Sequence, residues 1–377
     1  MTLPTVSWAR FAAPLFFTGL LLLVLVGCDA IDTRPTAAGS DSEVTIVIDT
    51  THWDAALGEA AKNAIGQWVY THPVPERMFD LNHLPIQRER DLNRAQSLKN
   101  VVFVAPLNED TNESRFMRSV LSESARQAVS DGGTAVVSRR DQWRRGQQVF
   151  FVTASDTSSL IQTLQNNGPA IRDSFQTVIH ERVSYDMFRR GRQHDIEETL
   201  METHGFAVNA QHDYQIAVDT TDFVWLRRIL TDTWRSLFVY YEDDANPADL
   251  SPEWVLTKRD SLSQIYLEGT WGDWVEVDQR RPLEIEETEF KGRYGFEMRG
   301  LWHMIGEDEE GNRQPAGMGG SFVSYAFYDE ASGRNYLMDG MVFAPEHSKR
   351  DFIRQMEIIA QTFRTAEEQE RAVAQAD

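Results

Sequence analysis

Apolar positions along this chain follow two rhythms, one in each half. In the first half, short apolar runs alternate with stretches of helical period. The run "EVTIVIDT" at 43–50 is rich in β-branched residues and predicts a strand. Residues 55–70 follow, with Leu57, Ala61, Ile65 and Trp68 spaced for one side of a helix. "NVVFVAPL" at 100–107 is apolar without alternation, the pattern of a strand buried on both faces. Helical spacing returns over 114–129 and stops at Asp131-Gly132-Gly133. "QQVFFVTA" at 147–154 predicts a third strand, and Asp156 suits the N-cap of a following helix. Strand and helix in alternation predict an N-terminal α/β layer over residues 43–168.

Residues 169–205 are expected to form a helical bridge. Ile171, Phe175, Val178 and Ile179, then Ile196, Leu200 and Met201, keep a helical period, and Gly205 suits a C′ stop. The second half changes character. "DFVWLRRIL", "SLFVYYED", "YGFEMRGLWHMI", "GSFVSYAFYD" and "NYLMDGMVFA" are aromatic and β-branched strands, the last two joined by the hairpin loop "EASGR". One helix starts at Ser251-Pro252, an N-cap followed by Pro at the first helical position. Another is predicted over 345–364, with Phe352, Met356, Ile359 and Phe363 on one side. The expectation for 206–366 is an α+β domain, an antiparallel-sheet sandwich covered by helices, followed by a polar tail at 367–377. No repeat of solenoid period is visible.

The N-terminus adds an address. Residues 11–27 are almost wholly apolar, Arg10 precedes them, and Cys28, the only cysteine, closes the run. A charged leader, an apolar centre and a small residue before a cut define a secretory signal. Leu25-Val26-Gly27-Cys28 resembles the lipobox of bacterial lipoproteins. That resemblance implies a signal peptide over 1–27 and a diacylglycerol on the Cys28 sulfur of the mature chain. It also implies an anchor in a membrane of the cell envelope, the outer membrane being favoured. Each buried methylene of such an anchor contributes about 0.8 kcal/mol. The rest of 28–42, with Pro35 and Gly39, is polar and expected to be a flexible tether. With the one thiol acylated no disulfide remains, so the fold must be held by packing.

The formal net charge is -21, and lysine occurs only at positions 62, 99, 258, 291 and 349. So acidic a chain disfavours nucleic acid as a partner, because that binding neutralises phosphates with basic side chains. Two longer resemblances follow from particular segments. "EVTIVIDTTHW", "DFVWLRR", "MGGSFVSYAFYD" and "DGMVFAPEHSKRDFIRQMEIIAQTF" resemble an uncharacterised family of bacterial lipoproteins of unknown function. The order of elements in the second half also resembles the PsbP/Mog1-like sandwich. Neither resemblance implies an activity or a catalytic residue.

Motifs that carry chemistry are missing. There is no G-x-x-x-x-G-K-[ST] loop, no H-E-x-x-H helix, no G-x-S-x-G elbow and no second cysteine. No cofactor, catalytic residue or metal ligand is therefore assigned. "GMGGS" at 317–321 runs into a strand and reads as a turn or bulge, not a phosphate cradle. His180, His194, His204 and His212 are expected as exposed helix-face or cap residues. "GEDEEGN" at 306–312 lacks calcium-loop spacing and reads as a hairpin tip.

Two groups suit binding better. Trp225 with Arg227 and Arg228, and Trp271 with Trp274, place planar side chains beside charge. Lys349 and Arg350 fall in the first turn of the last helix, where the dipole disfavours cations. Trp225, Arg227, Lys349 and Arg350 are the expected surface for an envelope protein or a small ligand. The leading expectation is a lipid-anchored, non-catalytic binding module. The alternative is an envelope hydrolase with a dispersed carboxylate–histidine site.

Overall fold

Backbone pairing starts earlier than composition suggests. The computed structural model describes residues 32–269 and 272–376; the signal segment at 1–27, Cys28 and Trp271 lie outside the described residues. Residues 36–42, expected within the flexible tether, lie along the first half instead. The Ala37 amide donates to the Arg145 carbonyl at 2.9 Å, and Ala38 to Ser97 at 2.8 Å. Two backbone bonds and a buried Ala37 outweigh the polar composition.

In β1 (Glu43–Val47) every residue after Glu43 is buried. Asp49 caps the short α1 (Thr50–Trp53). In α2 (Ala56–Ile65), Leu57, Ala61 and Ile65 face the core as expected. That helix ends at Gly66, because a small hairpin of β2 (Trp68–Val69) and β3 (Glu76–Arg77) takes over. Next come β4 (Asp80–His83), α3 (Glu89–Ala95) and β5 (Asn100–Val104). The single helix expected over 114–129 is two, α4 (Asn112–Val120) and α5 (Glu123–Ser130). Leu121 turns extended between them, and the Ser122 hydroxyl caps the second. The hairpin of β6 (Thr134–Arg140) and β7 (Gln148–Ala154) completes a sheet of order β4-β1-β5-β7-β6. All pairs in it are parallel except β6 with β7.

From Asp156, the expected N-cap, α6 (Thr157–Phe188) runs unbroken through the boundary expected between 168 and 169. Pro169 reads as a helix start, yet here it lies inside one. Gly168 presses on α2, where a Cβ would meet the Ala64 carbonyl oxygen at 2.9 Å. This close packing carries the helix across the Gly-Pro pair. The bridge therefore begins at Thr157 and continues as α7 (His194–His204), closed by Gly205 with φ +74°.

The second half is an antiparallel sheet between two helices, as expected. Its elements are β8 (Phe206–Ala207), β9 (Gln215–Asp219), β10 (Phe223–Ile229), β11 (Trp234–Glu242) and α8 (Pro252–Tyr266), then β12 (Trp274–Val277) and β13 (Glu284–Phe290). The long strands β14 (Arg293–Glu307), β15 (Arg313–Asp329) and β16 (Arg334–Phe343) precede α9 (Arg350–Gln361). The order is β12-β14-β15-β16-β11-β10-β9, with β13 also on β14, and β17 (Arg364–Thr365) pairs β8 apart. The expected polar tail is helical, as α10 (Ala366–Ala376). One face of the large sheet packs Val323, Met338 and Val342 against Ile353, Met356 and Ile359 of α9. The other packs Phe223, Phe322 and Leu337 against Val255 and Leu262 of α8. Among the described residues no helix is long and apolar enough to cross a membrane.

The polar side of α9 holds the first half. Glu76 on β3 accepts from the backbone amides of Lys349 at 2.8 Å and Arg350 at 3.1 Å, and from the Ser348 hydroxyl. Burial alone would raise the Glu76 carboxyl, but these donors outweigh it and hold it below the usual range. Glu357 lies buried between Arg299 Nη1 at 2.6 Å and His180 Nε2 at 3.1 Å. Its burial penalty is likewise overcome, chiefly by the Arg299 charge, and its carboxyl sits far below the ordinary value. His72 Nδ1 lies 2.8 Å from Ser321 Oγ, and burial pushes that imidazole down from 6.5.

These groups set a pH dependence with one sign. All three bind protons less readily folded than unfolded, so acid favours the unfolded chain. Stability falls as pH drops below 6.5 through His72, and again below 4.5 through Glu76 and Glu357. Denaturant melts should show the wild type losing more stability between neutral and mildly acidic pH than His72→Gln loses. Glu357→Gln should cost on the order of 3 kcal/mol at neutral pH, because it breaks the ion pair that the buried Glu357 makes with half-buried Arg299.

Candidate functional site

Alternation along β10 sends Val224 and Leu226 to the α9 side and Trp225 to the α8 side. Arg227 shares the side of Trp225, its guanidinium 5.5 Å from that ring centroid. On this face α8 is pinned by fully buried Arg259, whose Nε donates to Asp339 Oδ2 at 2.7 Å. Ser324 donates to the same carboxylate at 2.5 Å, and the guanidinium lies 3.9 Å from the Phe322 ring centroid. The helix is thereby fixed over one stretch of the sheet.

The sheet continues past that stretch and forms a pocket of about 460 Å³, to which no residue of α8 contributes. Trp225, Trp302, Met304, Met318, Met341 and Phe343 line it from the strands, with Trp234 and Ile229 from the β10–β11 hairpin. Leu267, Gly269 and Val275 close another side, and Arg227, Glu268 and Asp273 supply charge. The volume suits a small-molecule ligand. Three methionines give walls that adapt to an irregular apolar shape. Ile229, Leu230 and Trp234 are 52%, 41% and 41% exposed at the hairpin end, so the apolar surface extends beyond the pocket.

Two indole N–H groups distinguish the floor. Trp302 Nε1 donates to the Val342 carbonyl at 3.3 Å. Trp225 Nε1 is buried and has no hydrogen-bond partner. A buried indole N–H usually finds an acceptor. Here Arg227 is exposed and its guanidinium stacks on the same ring. Donor and guanidinium together would receive an acceptor or acidic group carried by an apolar body.

Of the four residues expected to share one surface, the structure joins only Trp225 and Arg227. Lys349 and Arg350 lie at the start of α9, on the opposite face of the sheet. Arg350 is buried, donating to Asp80 Oδ2 at 2.8 Å and to the Arg77 carbonyl at 2.9 Å. The Arg350 side chain thus serves the junction between the halves, where Glu76 neutralises the helix end, while Lys349 Nζ turns back to the Pro345 and His347 carbonyls. Arg228 points away from Trp225 and pairs with Asp213. Trp274 stacks under Arg313 at 5.6 Å.

The histidines divide. His194 and His212 are exposed as expected, and His180 is half-buried. His204 is not an exposed cap. Its ring is buried, with Nε2 2.9 Å from Asp219 Oδ1 and Nδ1 3.1 Å from the Tyr241 hydroxyl. Asp219 of β9 and Tyr241 of β11 enclose it, with the Phe206 ring 5.8 Å away. "GMGGS" sits at a register shift of β14 against β15, opposite His303 to Ile305, with Gly317 at φ +82°. That is a bulge, as read. In "GEDEEGN", Asp308 accepts from the amides of Glu310 and Asn312 at the hairpin tip. The sequence reading lacked Trp234, Trp302, Met304, Met318 and Met341. Their alternation within each strand is legible; their convergence across four strands is not.

Residues 37–187 match a family model described as a domain of unknown function (DUF8532), and residues 193–362 match another, DUF4837. The two matches part at the turn between α6 and α7. No curated protein matches the chain. The yeast Ran-binding protein Mog1p from Saccharomyces cerevisiae is weakly similar in structure, at 9% identity and TM-score 0.29, over 43% of this chain and 90% of that one. A Bacteroides thetaiotaomicron crystal structure is similar at 10% identity and TM-score 0.23, over 43% of this chain and 45% of that one.

The two arginines should part company on mutation. Arg227→Ala should change unfolding free energy by less than about 0.5 kcal/mol, as exposed positions do. Arg350→Ala should lower it by about 2 kcal/mol, through lost charged hydrogen bonds. Chemical denaturation of both variants checks the contrast.

Proposed function

We propose that this chain is a lipid-anchored protein of the bacterial cell envelope, at the outer membrane, whose folded part is a non-catalytic module that binds a small apolar ligand. The pocket beside Trp225 is the binding site. The unpartnered Trp225 N–H inside an apolar chamber, with Arg227 at the same ring, is the observation that carries this reading. A fitting ligand has an apolar body and an acceptor or acidic group at one end. The anchor rests on the Leu25-Val26-Gly27-Cys28 pattern.

Anilinonaphthalene sulfonate has that shape and serves as a probe. Its fluorescence should rise saturably with the wild type, and Arg227→Ala should bind it several-fold more weakly, consistent with loss of a charged contact of about 1 kcal/mol. Met341→Glu should abolish the response while leaving a cooperative unfolding transition. Unchanged binding in both variants would remove the pocket from the proposal.

The anchor has a separate test. Cys28→Ser should abolish acylation and block release of the signal peptide. Intact mass of the mature wild type should show a lipid-sized increment on a chain beginning at Cys28. An unmodified mass, or a start elsewhere, would overturn the anchor and leave the pocket reading untouched.

A further inference from the structure

The sheet of the first half offers a second site, built from other residues than the Trp225 pocket. In an open α/β sheet, ligands enter the crevice outside the carboxyl ends of the strands, where successive connections depart to opposite sides. Here β1 leads through α2 to β4 on one side, and β4 leads through α3 back to β5 on the other side of β1. Helices α2 and α3 pack on opposite faces of the sheet. The switch point therefore lies between the ends of β1 and β5.

Side chains leaving those ends are joined. His52, after β1, places Nε2 2.7 Å from Oε2 of Glu109, which follows β5. Thr157, after β7, donates its hydroxyl to the other Glu109 oxygen at 3.0 Å. His83, ending β4, donates Nε2–H to the Ile48 carbonyl at 2.9 Å, since a carbonyl only accepts. Asp49, just after β1, accepts from the Thr51 amide at 2.8 Å and from its hydroxyl at 2.6 Å. Burial alone would raise its carboxyl, but these bonds hold it below the ordinary value. These groups are half-buried.

One carboxylate is unfinished. Glu113 on α4 is 3% exposed, and its Oε1 accepts the Ile86 amide at 2.6 Å. Its Oε2 is buried without a partner, and burial, with the Asp49 charge adding to it, pushes the Glu113 carboxyl up from its ordinary value, a cost that a cation at Oε2 would relieve. Anions are poorly suited here, because Asp156 already caps α6 and Thr111 caps α4. Arg115 turns to Asp110, and Arg118 donates to the carbonyls of Leu107 and Glu109. Among the described residues no three His, Cys, Asp or Glu side chains are arranged to hold a metal ion.

We infer that the β1–β5 switch point binds a small molecule carrying an ammonium group, received by Asp49, Glu113 and the His52–Glu109 pair. The site is independent of the Trp225 pocket, and it supplies the carboxylate–histidine arrangement expected of the alternative reading without requiring a reaction. Histidine ring signals followed by NMR in the full chain test it, with putrescine as the probe. His52 and His83 should shift saturably while the other seven of the nine histidines stay still. Binding should weaken about tenfold in Asp49→Asn and in Glu109→Gln, as loss of a charged acceptor predicts, and be unchanged in Arg227→Ala. Asn still caps α1, so Asp49→Asn keeps the local fold. Even, unsaturating shifts over all the histidines would mean diffuse attraction to an acidic protein and would overturn the site. Undiminished binding in both variants would do the same. A stronger response of His52 and His83 to zinc than to the diamine would overturn the ammonium assignment.

Discussion

Glu357 is buried among groups supplied by three elements, and the architecture depends on how it is neutralised. Its own helix, α9, brings it to the large sheet; Arg299 of β14 meets it from below and His180 of α6 from the side. A lone carboxylate at that depth would be prohibitively costly. The sequence therefore commits a guanidinium and an imidazole from opposite halves to the same few ångströms. Around this point α9 collects further contacts of the same kind. Glu76 closes its amino end, Arg350 forks onto Asp80, and Arg354 donates to Ser42 Oγ at 2.6 Å. Its apolar side, Ile353, Met356 and Ile359, does ordinary core packing. One twelve-residue helix thus belongs to both halves at once.

Buried ion pairs contribute less to stability than to selecting one arrangement, since desolvation offsets much of the attraction. Arg259 and Asp339 show the consequence on the other face. Their contact fixes α8 over Phe322 and Leu337, and an apolar helix contact alone could slide along so broad a sheet. With α8 held there, the face beyond it has no helical cover. The Trp225 pocket is what the fixed helix leaves open, so its shape depends on a charge pair that does not line it.

Much of this was legible in the chain. The strands of the second half, the N-caps at Asp156 and Ser251, the stop at Gly205 and the bulge at Gly317 all follow from local chemistry, which acts within a few residues. Misreadings share another cause. Pro169 marks a helix start by local rule, yet α2 packs against Gly168 and keeps α6 whole. His204 lies beside a helix stop, and nothing within its own segment says that Tyr241 and Asp219 will enclose it. Arg350 looked like an exposed cation because its partners, Asp80 and the Arg77 carbonyl, lie some 270 positions away. Periodicity says which residues share a side, not what that side will meet. Trp225 and Arg227 were found because adjacent alternation in one strand suffices to pair them.

The same distinction separates the two sites chemically. The Trp225 pocket is built from side chains that alternate across many strands of one face, so its chemistry is that of the strands' apolar periodicity with the Trp225 N–H left over inside it. The switch-point crevice is built from residues just beyond strand ends, where a parallel sheet has no periodicity to impose and polar groups are free to gather. An acidic chain of net charge -21 therefore does not present one uniform surface. It leaves an apolar pocket on a face that an ion pair keeps uncovered, and it gathers carboxylates and imidazoles just beyond the strand ends of the first half. Because α9 reaches Asp80 and Ser42 of the first half while its apolar side packs on the large sheet, both places stand on one buried framework.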